Sequence, residues 1–376
     1  ILGAFAEVTA NNGKLDLARV GSDRDLNTAS AGKPRTTVPG FERAEAVQPL
    51  RFWQNFTASP DFPTVARVIE AEYELIERPV DGVISVDPVA LAALLHVVGP
   101  VTVPDWPEPV TEDNAVRIFE HDQYVQFASP ADFPKREAFM ASAVGAIWGH
   151  LVNGSPSLDR LEALGAAVKG GNIFVHATRD PEQELIRDAG IDGAMPPVGT
   201  GDVLAVTTHN ASGNKTDWFL HRTVNYRPRI VGSRFEADLT ITLRNDAPAS
   251  GEPDYVIAYL GQAGELGHNR TFLSVYTPWK LDGAEFADSG AVFSQTEFGL
   301  NVYAIELDLA PKQTRTIKLR LSGTWGGGDY ALTYRPQALV NGDSLKGFPD
   351  LPGVSQVVTR GVGQSSALRW YLSATD

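Results

Sequence analysis

The chain has 376 residues, of which 43% are hydrophobic and 21% charged, as expected for a globular protein with more than one domain. Its net charge of −14 argues against general affinity for nucleic acid or anionic membranes, but leaves room for a local basic pocket. The absence of cysteine excludes disulfides, thiolate metal sites and a cysteine nucleophile.

The chain begins inside a predicted strand. Ile1 to Val8 has strand character, Asn12-Gly13 predicts a hairpin turn, and a return strand starts at Leu15. Because a chain seldom begins within a paired strand, we expect further sequence upstream of Ile1, including any membrane anchor. No run in the chain approaches the roughly 20 apolar residues needed to span a bilayer.

Strands and helices then alternate to about residue 208. Asp61 is predicted to cap a helix over Phe62–Glu77, and Asp87-Pro88 to begin another that Gly99-Pro100 ends. This alternation predicts a layered α/β domain with a mixed sheet and flanking helices. The other predicted elements are strands at Val80–Val86, Val101–Val103, Asn172–Ala177 and Val203–Thr208, a helix that follows a Thr111–Asn114 cap and runs to about Phe127, and helices at Pro134–Leu151, Leu158–Val168 and Pro181–Ala189.

From about Asp217 the pattern changes to short strands separated by Gly, Pro, Asn and Asp. That spacing predicts an antiparallel, β-sandwich-like domain. We therefore divide the chain into an α/β domain over residues 1–212, lacking its N-terminal part, and a β-rich domain over residues 213–376. The turn-forming residues of Asn210–Asp217 predict an interdomain loop, from which Lys215 could reach a ligand.

A first candidate site follows the hairpin, where Asp23 and Asp25 flank Arg24. These three side chains could bind a cation and a phosphate, or could hold each other in a loop. A second candidate, with Asn55 and Asp61, lies ahead of a helix. Helix N-termini favour anions, although an Asp cap alone would explain this pattern.

A third candidate site lies at the start of the long predicted helix. Asp132 is followed there by Lys135 and Arg136. Two cations in the first turn are disfavoured by the helix dipole, which points to an anionic partner. The alternative is a solvated basic pair.

Six stretches of the chain carry a family resemblance: SPDFPTVAR at 59–67, PVDGVISVDPVALAALLHVVGPVTV at 79–103, DQY at 122–124, NASGNKTDWFL at 210–220, LRNDAPASGEPDYV at 243–256 and NRTFLSVYTP at 269–278. Together they resemble the actinobacterial family called domain of unknown function 4012. Proteins of that family typically carry an N-terminal membrane helix and face outward. The resemblance therefore implies a membrane-anchored, extracytoplasmic protein of the cell envelope.

More distantly, the first half resembles the LytR-CpsA-Psr phosphotransferases. Those enzymes move glycan from a polyprenyl-pyrophosphate lipid onto the cell wall, using arginines, aspartates and magnesium. Arg24-Asp25 is similar to their Arg-Asp after the second strand, and residues 80–103 to their strand–helix–strand core. Asp132, Lys135 and Arg136 are similar to the start of their arginine-rich helix, but Glu137 follows here instead of a further arginine.

The resemblance implies a phosphotransferase-like function on wall glycan or polyprenyl-pyrophosphate-linked glycan. Arg24, Lys135 and Arg136 would neutralise the pyrophosphate, and Asp23 or Asp25 would hold a magnesium ion. The ligand-binding set would also include Asp132, Asn55, Asp61 and Lys215. Two alternatives remain: a non-catalytic glycan-binding scaffold, and a glycoside hydrolase using paired carboxylates, although no spacing singles out such a pair.

Overall fold

The computed structural model describes residues 3–34, 52–153, 165, 171–199, 201–261, 264–286, 291–328, 330–335, 337–346 and 368–371. The chain divides into two compact units, Ile1–Ala194 and Met195–Asp376. This division lies before the boundary expected at residues 212/213. The reason is that strand Asp202–Asn210 pairs with two strands of the second unit.

The strands described in the first unit form two separate antiparallel pairs, β1 with β2 and β3 with β4. Their bounds are Ala4–Asn11, Lys14–Ser22, Gly82–Val86 and Ile173–Ala177. Between β1 and β2, Asn12 and Gly13 have φ angles of 49° and 79°, as a tight hairpin turn requires. The combination of helices and strands is confirmed, whereas the described residues form no single mixed sheet in this unit.

The helices described in the first unit are α1 (Asp23–Ala29), α2 (Phe62–Ile76), α3 (Pro88–Val98), α4 (Ala115–Arg117), α5 (Gln123–Gln126), α6 (Phe133–Asn153) and α7 (Asp180–Asp188). Asp61 and Asp87 cap α2 and α3, each accepting a hydrogen bond from the backbone N–H three residues on, at 3.1 and 2.8 Å. Gly99, with φ 83°, follows the end of α3. Within the described part of the chain, no helix is both long and apolar enough to cross a membrane.

Three predicted elements are only partly present among the described residues. Val101–Val103, predicted as a strand, makes an isolated bridge between Val101 and Val110. The helix expected after the Thr111–Asn114 cap begins at Ala115 with Asn114 as its N-cap, and a π-turn over Ile118–Asp122 separates α4 from α5. Apart from residue 165, the helix predicted over residues 158–168 lies outside the described residues.

An aromatic cluster forms the larger apolar core of the first unit. It packs α3 and the segment from α4 to α5 against α6. Its rings belong to Trp106, Phe119, Phe127 and Phe139, with centroids 4.5–6.2 Å apart. This packing fixes the path of α6, which carries one of the candidate sites.

The second unit consists of two sheets that share one apolar core. Their strand orders are β10-β11-β8-β5-β13-β15 and β14-β6-β7-β12-β9. The bounds of β5 to β15 are Asp202–Asn210, Leu220–Val231, Arg234–Asn245, Asn269–Thr277, Lys280–Glu285, Phe293–Glu297, Leu300–Leu309, Thr314–Thr324, Ala331–Arg335, Ser344–Lys346 and Leu368–Tyr371. All pairs are antiparallel except β13 with β5 and β14 with β6. The core combines Leu204 and Val275 of one sheet with Leu239 and Ile317 of the other, so the strand-rich second part is confirmed.

A buried carboxylate lies at one end of this core. Asp202 is 0% exposed and accepts hydrogen bonds from the side chains of Tyr226, Trp279 and Tyr330, at 2.7, 2.6 and 2.6 Å. Burial raises the pKa of Asp202 to about 6, because desolvation outweighs the effect of the three donors. The ring of Phe235 stacks on that of Trp279 with centroids 3.7 Å apart.

The raised pKa of Asp202 predicts a pH-dependent stability. Because the folded state holds this proton more tightly than the unfolded chain, its stabilising effect is complete below pH 3.8 and is lost as pH rises through about 6. In urea denaturation, the free energy of unfolding of the wild type should therefore fall relative to that of Asp202→Asn, by about 1 kcal/mol between roughly pH 5 and pH 7.5. A difference that is constant over this range would contradict the assignment.

Candidate functional site

The first predicted cluster forms the start of a helix and not the expected loop. Ser22 is the N-cap of α1, and its Oγ accepts a hydrogen bond from the Asp25 backbone N–H at 3.3 Å. In return, the Ser22 backbone N–H donates to Asp25 Oδ2 at 2.8 Å. This reciprocal capping gives the Asp25 carboxylate a structural role. Asp23 lies in the first turn, where the helix dipole favours an acidic residue.

The structure brings Arg24 and Arg136 together on one aromatic ring. The Cζ atom of each arginine lies 4.7 Å from the ring centroid of Phe133. Phe133 and Arg136 are three residues apart on α6 and therefore share a face of that helix, whereas Arg24 comes from α1. Arg136 also lies 5.3 Å from the ring centroid of Tyr124. These distances are within the range of cation–π attraction.

Glu137 completes this group, which we call the Arg–Phe–Arg cluster: Arg24, Phe133, Arg136 and Glu137. Glu137 Oε1 lies 3.6 Å from Arg24 Nε. The hydroxyl of Ser22 lies 3.3 Å from Glu137 Oε1 and 3.2 Å from Asp25 Oδ2, so both carboxylates compete for its proton. The side chains of Arg24 and Glu137 remain 49% and 32% exposed, so solvent and ligands can reach them.

Lys135 and Asp132 instead form a local surface pair. Lys135 Nζ donates to Asp132 Oδ1 at 2.8 Å, one helical turn away, and the lysine side chain is 68% exposed. The hydrogen bond to Asp132 raises the pKa of Lys135 above its usual value. The predicted basic pair is thus divided, with Arg136 stacked on Phe133 and Lys135 paired with Asp132.

The remaining candidates lie elsewhere. Asn55 is part of a 3-10 turn over Trp53–Ala58, and Asp61 is a buried helix cap that also accepts a hydrogen bond from the Thr64 hydroxyl at 2.7 Å. Lys215 belongs to the second unit, where its Nζ lies 5.8 Å from the ring centroid of Tyr255.

The predicted interdomain loop is an internal loop of the second unit. Asn210 Oδ1 accepts hydrogen bonds from the backbone N–H groups of Ser212 and Gly213, at 2.8 and 3.0 Å. Asp217 Oδ1 accepts from Asn269 Nδ2 of β8 at 2.8 Å, and burial raises the pKa of Asp217. The turn-forming residues therefore fix this loop in place, and the linker interpretation is wrong.

Among the described residues, three potential metal ligands come together at Glu265, His268 and Asp308. Arg270 donates to Glu265 Oε2 at 2.6 Å and to Asp308 Oδ2 at 3.1 Å. Because this guanidinium already pairs with both carboxylates and would repel a second positive charge, the arrangement is an ion-pair network that disfavours a bound cation.

The residues near Asp25 fit magnesium only together with a phosphate ligand. Magnesium is usually held by one or two carboxylates, water and substrate phosphates. Asp25 and Glu137 are two such carboxylates, joined through the hydroxyl of Ser22. They would need phosphate oxygens to complete the coordination.

Comparison with known proteins identifies one family match. Residues 1–124 match the model of a family described as "Protein of unknown function (DUF4012)". This match agrees with the sequence resemblance and includes Arg24 and Tyr124, but it ends before Phe133 and Arg136. No curated protein matches the chain. A solved structure called a "putative nutrient binding protein", from Legionella pneumophila, is 8% identical over 46% of this chain and 68% of that chain, and its TM-score of 0.22 carries no argument.

The cap formed by Asp25 predicts a change in stability. Asp25→Ala should lower the free energy of unfolding by about 1 kcal/mol, because helix α1 loses a reciprocal cap. Urea denaturation with and without magnesium chloride should give the same loss. As a control, Asp16→Ala removes an exposed carboxylate that pairs with Lys14 at 3.1 Å on the surface of the hairpin. An Asp25→Ala variant as stable as this control would contradict the capping role.

Proposed function

We propose that the first unit binds the pyrophosphate of a polyprenyl-linked or wall glycan at the Arg–Phe–Arg cluster, in the extracytoplasmic cell envelope. The observation that carries this proposal is the placement of two guanidinium groups, from separate helices, on one phenyl ring. The resemblance to the LytR-CpsA-Psr phosphotransferases supplies the substrate class. The family match over residues 1–124 supports the resemblance to domain of unknown function 4012, and the matched region contains Arg24.

The geometry of the cluster suits two linked phosphate groups. Since each Cζ lies 4.7 Å from the same centroid, the two guanidinium carbons are at most twice that distance apart. The ring of Phe133 supports the guanidinium groups of both arginines, and the Arg24 side chain is 49% exposed. Arginine donates paired hydrogen bonds to such oxygens, which a lysine cannot do.

Magnesium is part of this proposal as a ligand-dependent ion. Asp25 and Glu137 would hold it next to the phosphate oxygens, where it would offset negative charge on the leaving group. The chain's own groups perform the binding: Arg24 and Arg136 contact the phosphates and Phe133 positions both arginines. Lys135, Asp132, Asn55, Asp61 and Lys215 have no assigned part in this arrangement.

Binding without catalysis is the second candidate function, and one observation favours it. Asp25 Oδ2 lies 2.8 Å from the Ser22 backbone nitrogen and 3.2 Å from its hydroxyl, so this carboxylate is engaged in the helix cap. Catalysis by a phosphotransferase would depend on this carboxylate as a metal ligand, whereas binding of the phosphates by Arg24 and Arg136 would not. A glycoside hydrolase would likewise need it for the sugar.

The proposal predicts which variants lose affinity for farnesyl pyrophosphate, measured by isothermal titration calorimetry in magnesium. Arg24→Ala and Arg136→Ala should each weaken binding about tenfold or more, the loss expected for a charged hydrogen-bonding contact. Phe133→Leu should weaken binding several-fold although the net charge is unchanged, because the support for both guanidinium groups is lost. Arg179→Ala is the matched control, since Arg179 is 71% exposed and pairs with Glu182 on the surface.

Unchanged affinity in Arg24→Ala and Arg136→Ala would contradict the proposal. If Arg179→Ala weakens binding as much as they do, the affinity reflects net charge and not this cluster. Incubation of the wild type with a polyprenyl-pyrophosphate-linked glycan and a wall acceptor then distinguishes the two functions. Transfer of the glycan identifies a phosphotransferase, whereas tight binding without transfer identifies a binding protein.

A further inference from the structure

One end of the five-stranded sheet is positively charged in a chain whose net charge is −14. Strand pairing defines three adjacent rows of residues near the turn that joins β6 to β7. The rows are Arg227, Asp238, Arg320 and Gly283; Arg229, Glu236, Ser322 and Lys280; and Val231, Arg234 and Thr324. Five cations therefore share these rows with two carboxylates, and the exposed Asp282 in the bulge of β9 adds a third carboxylate beside them. We call these three rows, with Trp325, the hairpin-tip surface.

The cations of the hairpin-tip surface are accessible. The side chains of Arg229 and Arg234 are 61% and 72% exposed. They pair with Asp238 and with Glu236, the latter at 2.6 Å, but such surface pairs contribute little free energy and can exchange for other anions. Three further exposed cations give the surface its positive excess: Arg227, Lys280 and Arg320.

Apolar groups lie at the same end. Val231 is 76% exposed next to the turn between β6 and β7. The backbone N–H of Trp325 donates to Ser233 O at 2.8 Å, which holds the half-buried tryptophan beside that turn. Its ring centroid lies 5.5 Å from that of Tyr330 and 6.2 Å from that of Trp279, so the core anchors it. An exposed valine and a half-buried tryptophan, anchored by the core, therefore lie beside the same turn as the arginines.

We propose that the hairpin-tip surface docks on an anionic lipid bilayer. The arginines and Lys280 contact lipid phosphates, while Val231 and the edge of Trp325 enter the headgroup region. Basic side chains gain attraction near an anionic leaflet, and tryptophan favours the boundary between water and lipid. A soluble polyanion would account for the cations but would leave Val231 exposed. This docking goes beyond the proposed pyrophosphate site and does not depend on it.

Co-sedimentation of the full chain with vesicles tests the proposal. We expect binding to vesicles of phosphatidylglycerol and phosphatidylcholine, reduced by salt, and little binding to phosphatidylcholine alone. The double variant Arg229→Gln/Arg234→Gln should lower the partition coefficient about tenfold or more, given the attraction of each arginine to an anionic surface. Val231→Ser should lower it several-fold at constant charge.

Two matched controls belong to the first unit. Arg179→Gln removes an arginine side chain that is 71% exposed, and Leu185→Ser removes an apolar side chain that is 70% exposed. Both should bind vesicles like the wild type, and circular dichroism should show all variants folded. The proposal would be overturned if the wild-type protein does not bind anionic vesicles. It would also be overturned if the hairpin variants bind them as well as the controls do. Loss of binding in the arginine variant with full binding by Val231→Ser would identify a polyanion site instead, and the bilayer proposal would be wrong.

Discussion

The Arg–Phe–Arg cluster depends on the electrostatic balance around Phe133. At the largest separation that the geometry allows, twice 4.7 Å, two guanidinium charges repel by about 2 kcal/mol at an effective dielectric constant of ~20. Two cation–π contacts stabilise the cluster by roughly 0.5–1 kcal/mol each. Glu137, 3.6 Å from Arg24, supplies an opposite charge. The cluster is therefore close to balanced without a ligand. A doubly charged anion would turn the repulsion between the arginines into joint attraction.

Local sequence signals predict the short-range structure well. Asn12-Gly13 forms the expected hairpin turn, and Asp61 and Asp87 cap the expected helices. The cap at Ser22 was also readable, because Ser22 and Asp25 have the spacing of a capping box. The charges of Asp23, Arg24 and Asp25 leave the segment open between a ligand site and a loop in which the side chains hold each other, whereas backbone hydrogen bonding makes it a helix cap.

Long-range pairing could not be read from the sequence. The strand Asp202–Asn210 follows a helix and therefore looks like the last strand of an α/β series, but it pairs with β8 and β13. The roles of Phe133 and Glu137 are similar cases. Phe133 looks like an ordinary core residue, and its contact with Arg24 depends on how α1 meets α6. Residues 210–217 are compatible with a linker by sequence, because Asn, Ser and Gly serve both linkers and tightly hydrogen-bonded loops.

The most direct test of the central claim is to observe both guanidinium groups during one titration. In protein labelled with ¹⁵N-arginine, the side-chain Nε–H resonances of Arg24 and Arg136 can be assigned from their Lys variants and followed as inorganic pyrophosphate is added with magnesium. If one ligand binds between them, both resonances shift and saturate along the same curve. Resonances that do not move, or that saturate at different concentrations, would show that the two arginines do not form one site.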